Sequence, residues 1–314
     1  MNSVVIPCYN VFDKIEGVLS KIPNIIDRIY VVNDASTDNT LDVLKNYSSI
    51  DKRIIVVSIE KNLGVGGAVK AGLFKAINDG CNIIIKIDGD GQMEPRHIPK
   101  FIETLSRNRR SFVKANRFHD LSGLKKMPLI RRIGNIALTF LIRLSSGYWG
   151  ISDPTNGYIG FSSEYLKNID FESFHNRYFF ESSIFNELHF HKIKVIELPI
   201  SAVYNDEVSN LSVLNTLFSF PPKIIKAFFK RILLDYFLYD YNIGSVYLTF
   251  GLPFFTYGAL KGLYNWSYNH SLGVFTPHGT ALLSSLFTIV GLLFLINFLN
   301  YDVSVNNVKT ETQQ

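Results

Sequence analysis

Two cysteines, Cys8 and Cys81, are all that 314 residues hold, too few for a disulfide framework. Both stand beside apolar runs, so they read as small core residues in a reducing compartment, not as a bridge or a metal pair. A long basic tract is also missing. The net charge of +5 is modest, with part of the excess at Lys223, Lys226, Lys230 and Arg231, which gives nucleic-acid binding little support. No basic, apolar and small-residue signal precedes the first apolar run, Val4-Val5-Ile6, so the N-terminal part is expected to stay in the cytosol. Charge is scarce in two further places: residues 244–266 contain only Lys261, and residues 279–299 contain none.

What is present falls into two regimes. Residues 1–211 have the composition of an α/β domain large enough for a full core. Short β-branched runs at 4–6, 29–32, 54–58, 83–87 and 112–115 alternate with helical patterns at 13–21, 37–47, 68–78 and 97–107. That rhythm predicts βαβ units and a mostly parallel sheet with flanking helices. Further helices are predicted at 130–145 and 180–190, and a last strand at 194–198. Ligands of such sheets bind at the carboxyl ends of the strands. Asn10, Asp34, Asp88 and Asp90 all follow strands on that edge.

The second regime is apolar and aromatic. After Pro221-Pro222, the residues Ile224, Ile225, Phe228, Phe229, Ile232 and Leu233 recur at helical spacing beside Lys223, Lys226, Lys230 and Arg231. Residues 212–243 therefore read as an interfacial amphipathic helix with snorkelling cations, against the plainer alternative of a core-packed helix. Residues 244–266 and 279–299 are each long enough to cross a hydrocarbon layer of ~30 Å. Tyr241, Tyr247, Tyr264, Trp266 and Tyr268 supply interfacial aromatics. The loop between the spans lacks Lys and Arg, whereas the segment before them is basic. The positive-inside rule then places both flanks in the cytosol, and the expectation is a multi-pass plasma-membrane protein. Residues 300–314 read as a polar, disordered tail.

The stretch Asp88-Gly89-Asp90-Gly91-Gln92 follows Ile83-Ile84-Ile85-Lys86-Ile87, which reads as a buried strand. Two carboxylates and an amide delivered to one point suit a hard cation, Mg²⁺ or Mn²⁺, shared with phosphate oxygens. In Asn62-Leu63-Gly64-Val65-Gly66-Gly67-Ala68, glycines open a helix, which suits phosphate or close backbone approach. A dinucleotide fingerprint starting at Gly64 fails because Val69 stands where a small residue is required. The segment instead reads as a tight strand-to-helix connection near a nucleotide.

Asp34 is assigned to a ligand, and Ser36 or Thr37 to capping the next helix. Arg117, just past a strand at the same rim, is a candidate phosphate fork; Arg131 and Arg132 divide evenly between that role and a solvated face. Glu181 opens a helix, where the dipole favours a carboxylate, and is also a candidate general base. His189 and His191 read as a surface helix end.

In order along the chain, Ile6-Pro7-Cys8-Tyr9-Asn10, Val32-Asn33-Asp34-Ala35-Ser36-Thr37-Asp38, Asn62-Leu63-Gly64 with Gly67, Asp88-Gly89-Asp90-Gly91-Gln92, Arg117 and Asp153-Pro154-Thr155-Asn156-Gly157-Tyr158 resemble the motifs of inverting family-two glycosyltransferases with a GT-A fold. Within that family the chain looks most like the polyprenyl-phosphate transferases related to dolichol-phosphate mannose synthase. The resemblance implies that Pro7, Tyr9, Asn10, Asp34, Gly64, Gly67 and Asp88 bind the nucleotide sugar, UDP- or GDP-linked. It implies that Asp88, Asp90 and Gln92 ligate the metal, that Arg117 and Arg131 meet phosphates, and that Asp153 sits beside the reacting sugar. Two departures stand out. Val11 and Phe12 replace acidic residues common after Tyr-Asn, and Asn210 replaces a lysine. The Gln-x-x-Arg-Trp signature of processive synthases is absent.

The expectation is a membrane-anchored enzyme that moves one sugar to undecaprenyl or dolichyl phosphate by direct displacement. The rivals are transfer to a sugar hydroxyl of a lipid-linked glycan, which needs a base from Asp153 or Glu181, and a non-catalytic nucleotide-binding membrane scaffold. A homo-oligomer is left open.

Overall fold

The computed structural model describes residues 1–119, 129–200, 213–306 and 310–312. The chain divides into two units, Met1–Ala227 with Lys309–Gln314, and Phe228–Val308.

In the first unit, chain order gives β1 (Asn2–Cys8), α1 (Ile15–Leu19), β2 (Arg28–Asp34), α2 (Thr40–Ile50), β3 (Ile54–Ile59), α3 (Val65–Asn78) and β4 (Ile83–Lys86). There follow α4 (Ile98–Arg107), β5 (Ser111–Asn116), α5 (Leu129–Ser146), β6 (Ile159–Ser162), α6 (Ser163–Leu166), α7 (Phe180–Phe190) and β7 (Lys194–Pro199). The sheet has the order β3-β2-β1-β4-β6-β5-β7 and is closed on its far edge by Thr310–Thr312, here β8. Every pairing is parallel except those of β6 with β4 and with β5. The predicted fold class, a mostly parallel α/β sheet with flanking helices, holds.

The strands are apolar because both faces are covered. Side chains alternate across β1: Val5 joins a cluster with Val32, Leu73, Ile84 and Phe180, while Val4 and Ile6 join Leu44, Ile85, Phe101 and Leu105 on the other face. β1 lies between β2 and β4, so the winding direction reverses between β1 and β4. The crevice outside the carboxyl ends at such a reversal is where open α/β sheets bind ligands.

β6 was not foreseen. It is four residues long and contains Gly160, so it carries little strand signal. The glycine is required, since a Cβ there would lie 2.9 Å from Leu105 Cδ1 and 3.0 Å from Phe101 Cδ1. His189 is buried against Tyr148, at 6.2 Å between rings, instead of lying on the surface, because α7 turns that face into the core.

Helix α8 (Val213–Leu233) starts before Pro221-Pro222 and runs through them, although the amphipathic pattern is written only after them. Proline weakens a helix interior, but packing outweighs that here: Phe220 is buried with its ring 4.9 Å from Phe179. On α8, Ile225, Phe229 and Leu233 are exposed at four-residue spacing.

The second unit holds the end of α8, a π-helical turn Leu234–Leu238, α9 (Ile243–Ser271) and α10 (His278–Asn306). Asn242 and Ser245 form a reciprocal capping box at the start of α9. Both long helices have 29 residues, about 43 Å at 1.5 Å per residue, and are long and apolar enough to cross a membrane. They pack through small residues. A Cβ on Gly291 would overlap the backbone of Phe255, and one on Gly251 would lie 3.0 Å from Phe294 Cβ. Close backbone approach of this kind is how apolar helices associate in lipid.

Two expectations are corrected here. Arg231, read as a lipid-facing cation, is buried: its guanidinium grips the buried carboxylate of Asp302 at 2.7 and 3.0 Å, and Tyr236 donates a 2.5 Å hydrogen bond to the same carboxylate. A buried charge requires such a partner, and Asp302 supplies it from the far end of α10. The tail is not wholly irregular either. Residues up to Asn306 are helical, and Thr310–Thr312 pair with Val195, Ile196 and Glu197 of β7.

Candidate active site

The crevice between β1 and β4 is lined by the two loops that the strands release there. Pro7 and Cys8 end β1, and Gly89 lies against them; a Cβ on Gly89 would sit 3.2 Å from the Pro7 carbonyl. Tyr9 is exposed beyond the strand. Asn10 adopts a left-handed φ of 53°. Its amide nitrogen donates to Thr37 Oγ1 at 3.2 Å and its amide oxygen accepts from Thr37 N at 2.9 Å, tying the loops after β1 and β2 together. Strained conformations of this type collect at functional rims.

Asp34 ends β2, buried. Its two oxygens accept the backbone N–H groups of Leu63 and Gly64, each at 2.8 Å. It thus holds the glycine loop in place. The N-cap of α2 is Asn39, which makes no side-chain cap bond; Asp38 just before it accepts from Thr40 N at 3.0 Å, while Ser36 Oγ accepts from Asn10 N at 3.2 Å. The capping role expected of Ser36 or Thr37 is therefore corrected: those hydroxyls serve the β1 loop. The glycines at 64, 66 and 67 answer to close neighbours. Gly64 has φ 84°, and a Cβ there would lie 2.9 Å from the Asn176 carbonyl; one on Gly66 would overlap the His175 carbonyl. Gly67 N donates to Asn176 O at 2.9 Å.

Beyond β4, Gly91 turns the chain at φ 80°, and Gln92 N donates to Asp90 Oδ1 at 3.0 Å. The residue that organises this rim was missed in the sequence. Lys86, the last residue of β4, is fully buried, with its ammonium 2.7 Å from Asp88 Oδ1 and 3.5 Å from Glu181 Oε1. Its signal was a single charge inside an isoleucine run. Burial opposes its charge, but Asp88 and Glu181 outweigh that and raise its pKa. Burial raises the pKa of Glu181 despite the opposing pull of Lys86. Gly157 completes the cluster: a Cβ there would overlap the Lys86 ammonium and lie 3.1 Å from Asp88 Oδ2.

The same turn reaches a second cluster. Asp153 is fully buried and gripped by Arg117, Nε to Oδ2 at 2.7 Å and Nη2 to Oδ1 at 2.9 Å, with Asn156 Nδ2 at 3.3 Å. Burial would raise this carboxyl, but the Arg117 guanidinium overcomes it and holds the pKa at about 2. Behind it, Glu197 Oε1 accepts from Ser152 N at 2.9 Å and Oε2 from Asn116 Nδ2 at 3.0 Å. Lys114 donates to the Asp153 carbonyl, and burial lowers its pKa against the pull of Asp153 and Glu197. The structure thus joins Asp88 with Glu181 through Lys86, and Arg117 with Asp153. The side chain of Arg131, on α5, and residue Asn210 lie outside the described residues.

A divalent cation can be tested against this donor set. Asp88 and Asp90 offer the oxygens such ions prefer, on a loop whose glycines allow close approach. Among the described residues, no three His, Cys, Asp or Glu side chains converge as a cage. A cation here would therefore complete its shell with ligand oxygens or water, as Mg²⁺ and Mn²⁺ do on phosphates. The set fits.

A mostly parallel α/β sheet with Asp88 and Asp90 at its switch point is the architecture a nucleotide-sugar transferase requires, and comparison with known proteins agrees. Residues 3–170 match the model of Glycosyl transferase family 2. The chain belongs to that family and is a glycosyltransferase. It is 30% identical over 216 residues to the UDP-N-acetylglucosamine–dolichyl-phosphate N-acetylglucosaminyltransferase of Methanococcus voltae, covering 65% of this chain and 86% of that one. It is 25% identical over 203 residues to the undecaprenyl-phosphate mannosyltransferase of Micrococcus luteus, covering 63% and 82%. Among solved structures, glucosyl-3-phosphoglycerate synthase of Mycobacterium tuberculosis, crystallised with Mn²⁺, UDP and phosphoglyceric acid, superposes with a TM-score of 0.54 at 20% identity, over 74% of this chain and 78% of that one. That likeness supports the GT-A fold.

Proposed function

We propose that this protein transfers one sugar from a nucleotide-diphosphate sugar to a polyprenyl phosphate on the cytosolic leaflet, with inversion at the anomeric carbon. The acceptor class rests on the state of Asp153. That carboxylate is locked on Arg117 and held at a pKa of about 2, so it is a poor proton acceptor. A phosphate acceptor is already an anion and needs no strong base. The relatives that act on dolichyl and undecaprenyl phosphate support the same choice.

In this reading the nucleoside lies across the ends of β1 and β2, beside Pro7, Tyr9 and Asn10, with Asp34 keeping the Gly64–Gly67 loop in shape beneath it. Asp90, with Asp88 and Gln92, would hold Mg²⁺ or Mn²⁺. When bound, the ion supplies positive charge to the departing diphosphate. Asp153 positions Arg117 and the turn at 153–158 beside the reacting sugar. Helices α9 and α10 anchor the enzyme, and the exposed apolar residues of α8 and of α5 (Leu129, Ile133, Ile136 and Phe140) suit a headgroup boundary. Anchoring raises the effective concentration of an acceptor that cannot leave the bilayer.

A hydroxyl acceptor is the second reading, favoured by Glu181, whose raised pKa suits a base. The test is a donor screen in membranes with Mn²⁺ or Mg²⁺, labelled UDP- and GDP-sugars and polyprenyl phosphates. Label in the lipid phase that is lost in Asp90→Ala and kept in Glu181→Gln at saturating metal supports the phosphate acceptor. Donor turnover without lipid product, abolished by Glu181→Gln, replaces it with the hydroxyl acceptor.

A further inference from the structure

Lys86 stands where no lysine is needed for the sheet. β4 is otherwise isoleucine, and a buried ammonium is costly unless paired. Its partners are Asp88 at 2.7 Å and Glu181 at 3.5 Å, from two different elements, and Gly157 leaves room for its head by having no Cβ. Asp88 is correspondingly turned inward: Oδ1 meets Lys86, and Oδ2 faces the notch at Gly157. Asp90, two residues on, also feels the ammonium electrostatically.

We propose that Lys86 is a positioning residue that, together with Glu181, sets the charge of the carboxylate group receiving the divalent cation. This rests on the metal–donor reading above. In formal charge, the carboxylates of Asp88, Asp90 and Glu181 and the ammonium of Lys86 sum to −2, which one divalent ion neutralises. Lys86 fixes the rotation of Asp88 beside Asp90 on the loop that receives the ion. A lysine suits this place because its ammonium is a compact point charge that can face two carboxylates at once.

A counter-ion needed only for folding would leave metal affinity unchanged; a charge-setting residue changes it in a signed way. Mn²⁺ binding is read by electron paramagnetic resonance and calorimetry on the full chain in nanodiscs, with and without UDP. Lys86→Met is expected to bind Mn²⁺ roughly tenfold more tightly, because a repelling charge a few ångströms away is gone. Its turnover is nonetheless expected to fall, because Asp88 is no longer held. Glu181→Gln is expected to bind Mn²⁺ roughly tenfold more weakly, and Lys86→Met/Glu181→Gln, which restores the net charge, to return near the wild type. Lys86→Arg keeps the charge, and is expected to change Mn²⁺ affinity far less than Lys86→Met does while lowering kcat through misplacement of Asp88.

Wild-type binding that is lost in Asp90→Asn but unchanged in both Lys86→Met and Glu181→Gln overturns the inference and leaves the metal reading intact. If Lys86→Met does not fold, Glu181→Gln and Lys86→Arg decide the matter alone. Absence of Mn²⁺ binding by the wild type, even with UDP, overturns the metal reading and this inference with it.

Discussion

Replacing Arg117 by methionine tests the pair on which the acceptor argument stands. Asp153 is fully buried, and the Arg117 guanidinium donates to it at 2.7 and 2.9 Å. A carboxyl held at about 2, against 3.8 in an unstructured chain, contributes about 2 kcal/mol of stability at neutral pH. Because the folded pKa is the lower one, that contribution is complete above about pH 5 and is lost as pH falls toward 2. Arg117→Met does more than remove it, since the carboxylate is left buried and unpaired; the expected cost at pH 7.5 is about 3 kcal/mol, at the low end of the buried-pair range because Lys114 remains nearby.

The sign of the pH dependence then reverses. With burial unopposed by Arg117, the folded pKa of Asp153 lies above the unfolded one, so its stabilising protonation is present at low pH and lost as pH rises. The deficit of the mutant is therefore expected to shrink between pH 7.5 and pH 5. Urea unfolding of the full chain in detergent reads this through Trp149 fluorescence in a Trp266→Phe background. Arg117→Met/Asp153→Asn should recover part of the loss, because no buried charge is stranded. A deficit below about 0.5 kcal/mol, or one independent of pH, would refute the buried pair and with it the case against Asp153 as a base.

Two further outcomes follow from buried groups. Asp34→Ala should cost about 3 kcal/mol and speed hydrogen exchange at Leu63 and Gly64, whose N–H groups lose a charged acceptor; unchanged exchange there would show that Asp34 does not hold the loop. Arg231→Met should destabilise the helical unit by about 3–5 kcal/mol while Arg231→Met/Asp302→Leu recovers most of it, as followed by thermal unfolding in detergent; equal losses in both would rule out a stranded Asp302 charge.

Local pattern alone determined the alternating strands and helices, the D-x-D at the end of β4 and the two long apolar helices. Each of these is written within a short stretch of chain: β-branched runs, glycine turns, uncharged lengths. The order of motifs along the chain was enough to place it among the family-two glycosyltransferases, which the match over residues 3–170 bears out. Tertiary structure decided which charges meet. Lys86 and Glu181 are 95 positions apart, and Arg117 and Asp153 are 36 apart. Nothing local marks either pair, because their contact depends on β4, β5 and the 153–158 turn ending at one rim. It also turned Arg231 from a lipid-facing cation into a buried one, since the partner that makes its burial tolerable, Asp302, lies 71 residues away. Glycines 64 and 66 suited either phosphate or backbone approach from spacing; in the fold it is the backbone at His175 and Asn176 that presses on them. Sequence fixes which groups are available, and the packing of distant elements decides which are neutralised by one another and which stay open to a substrate.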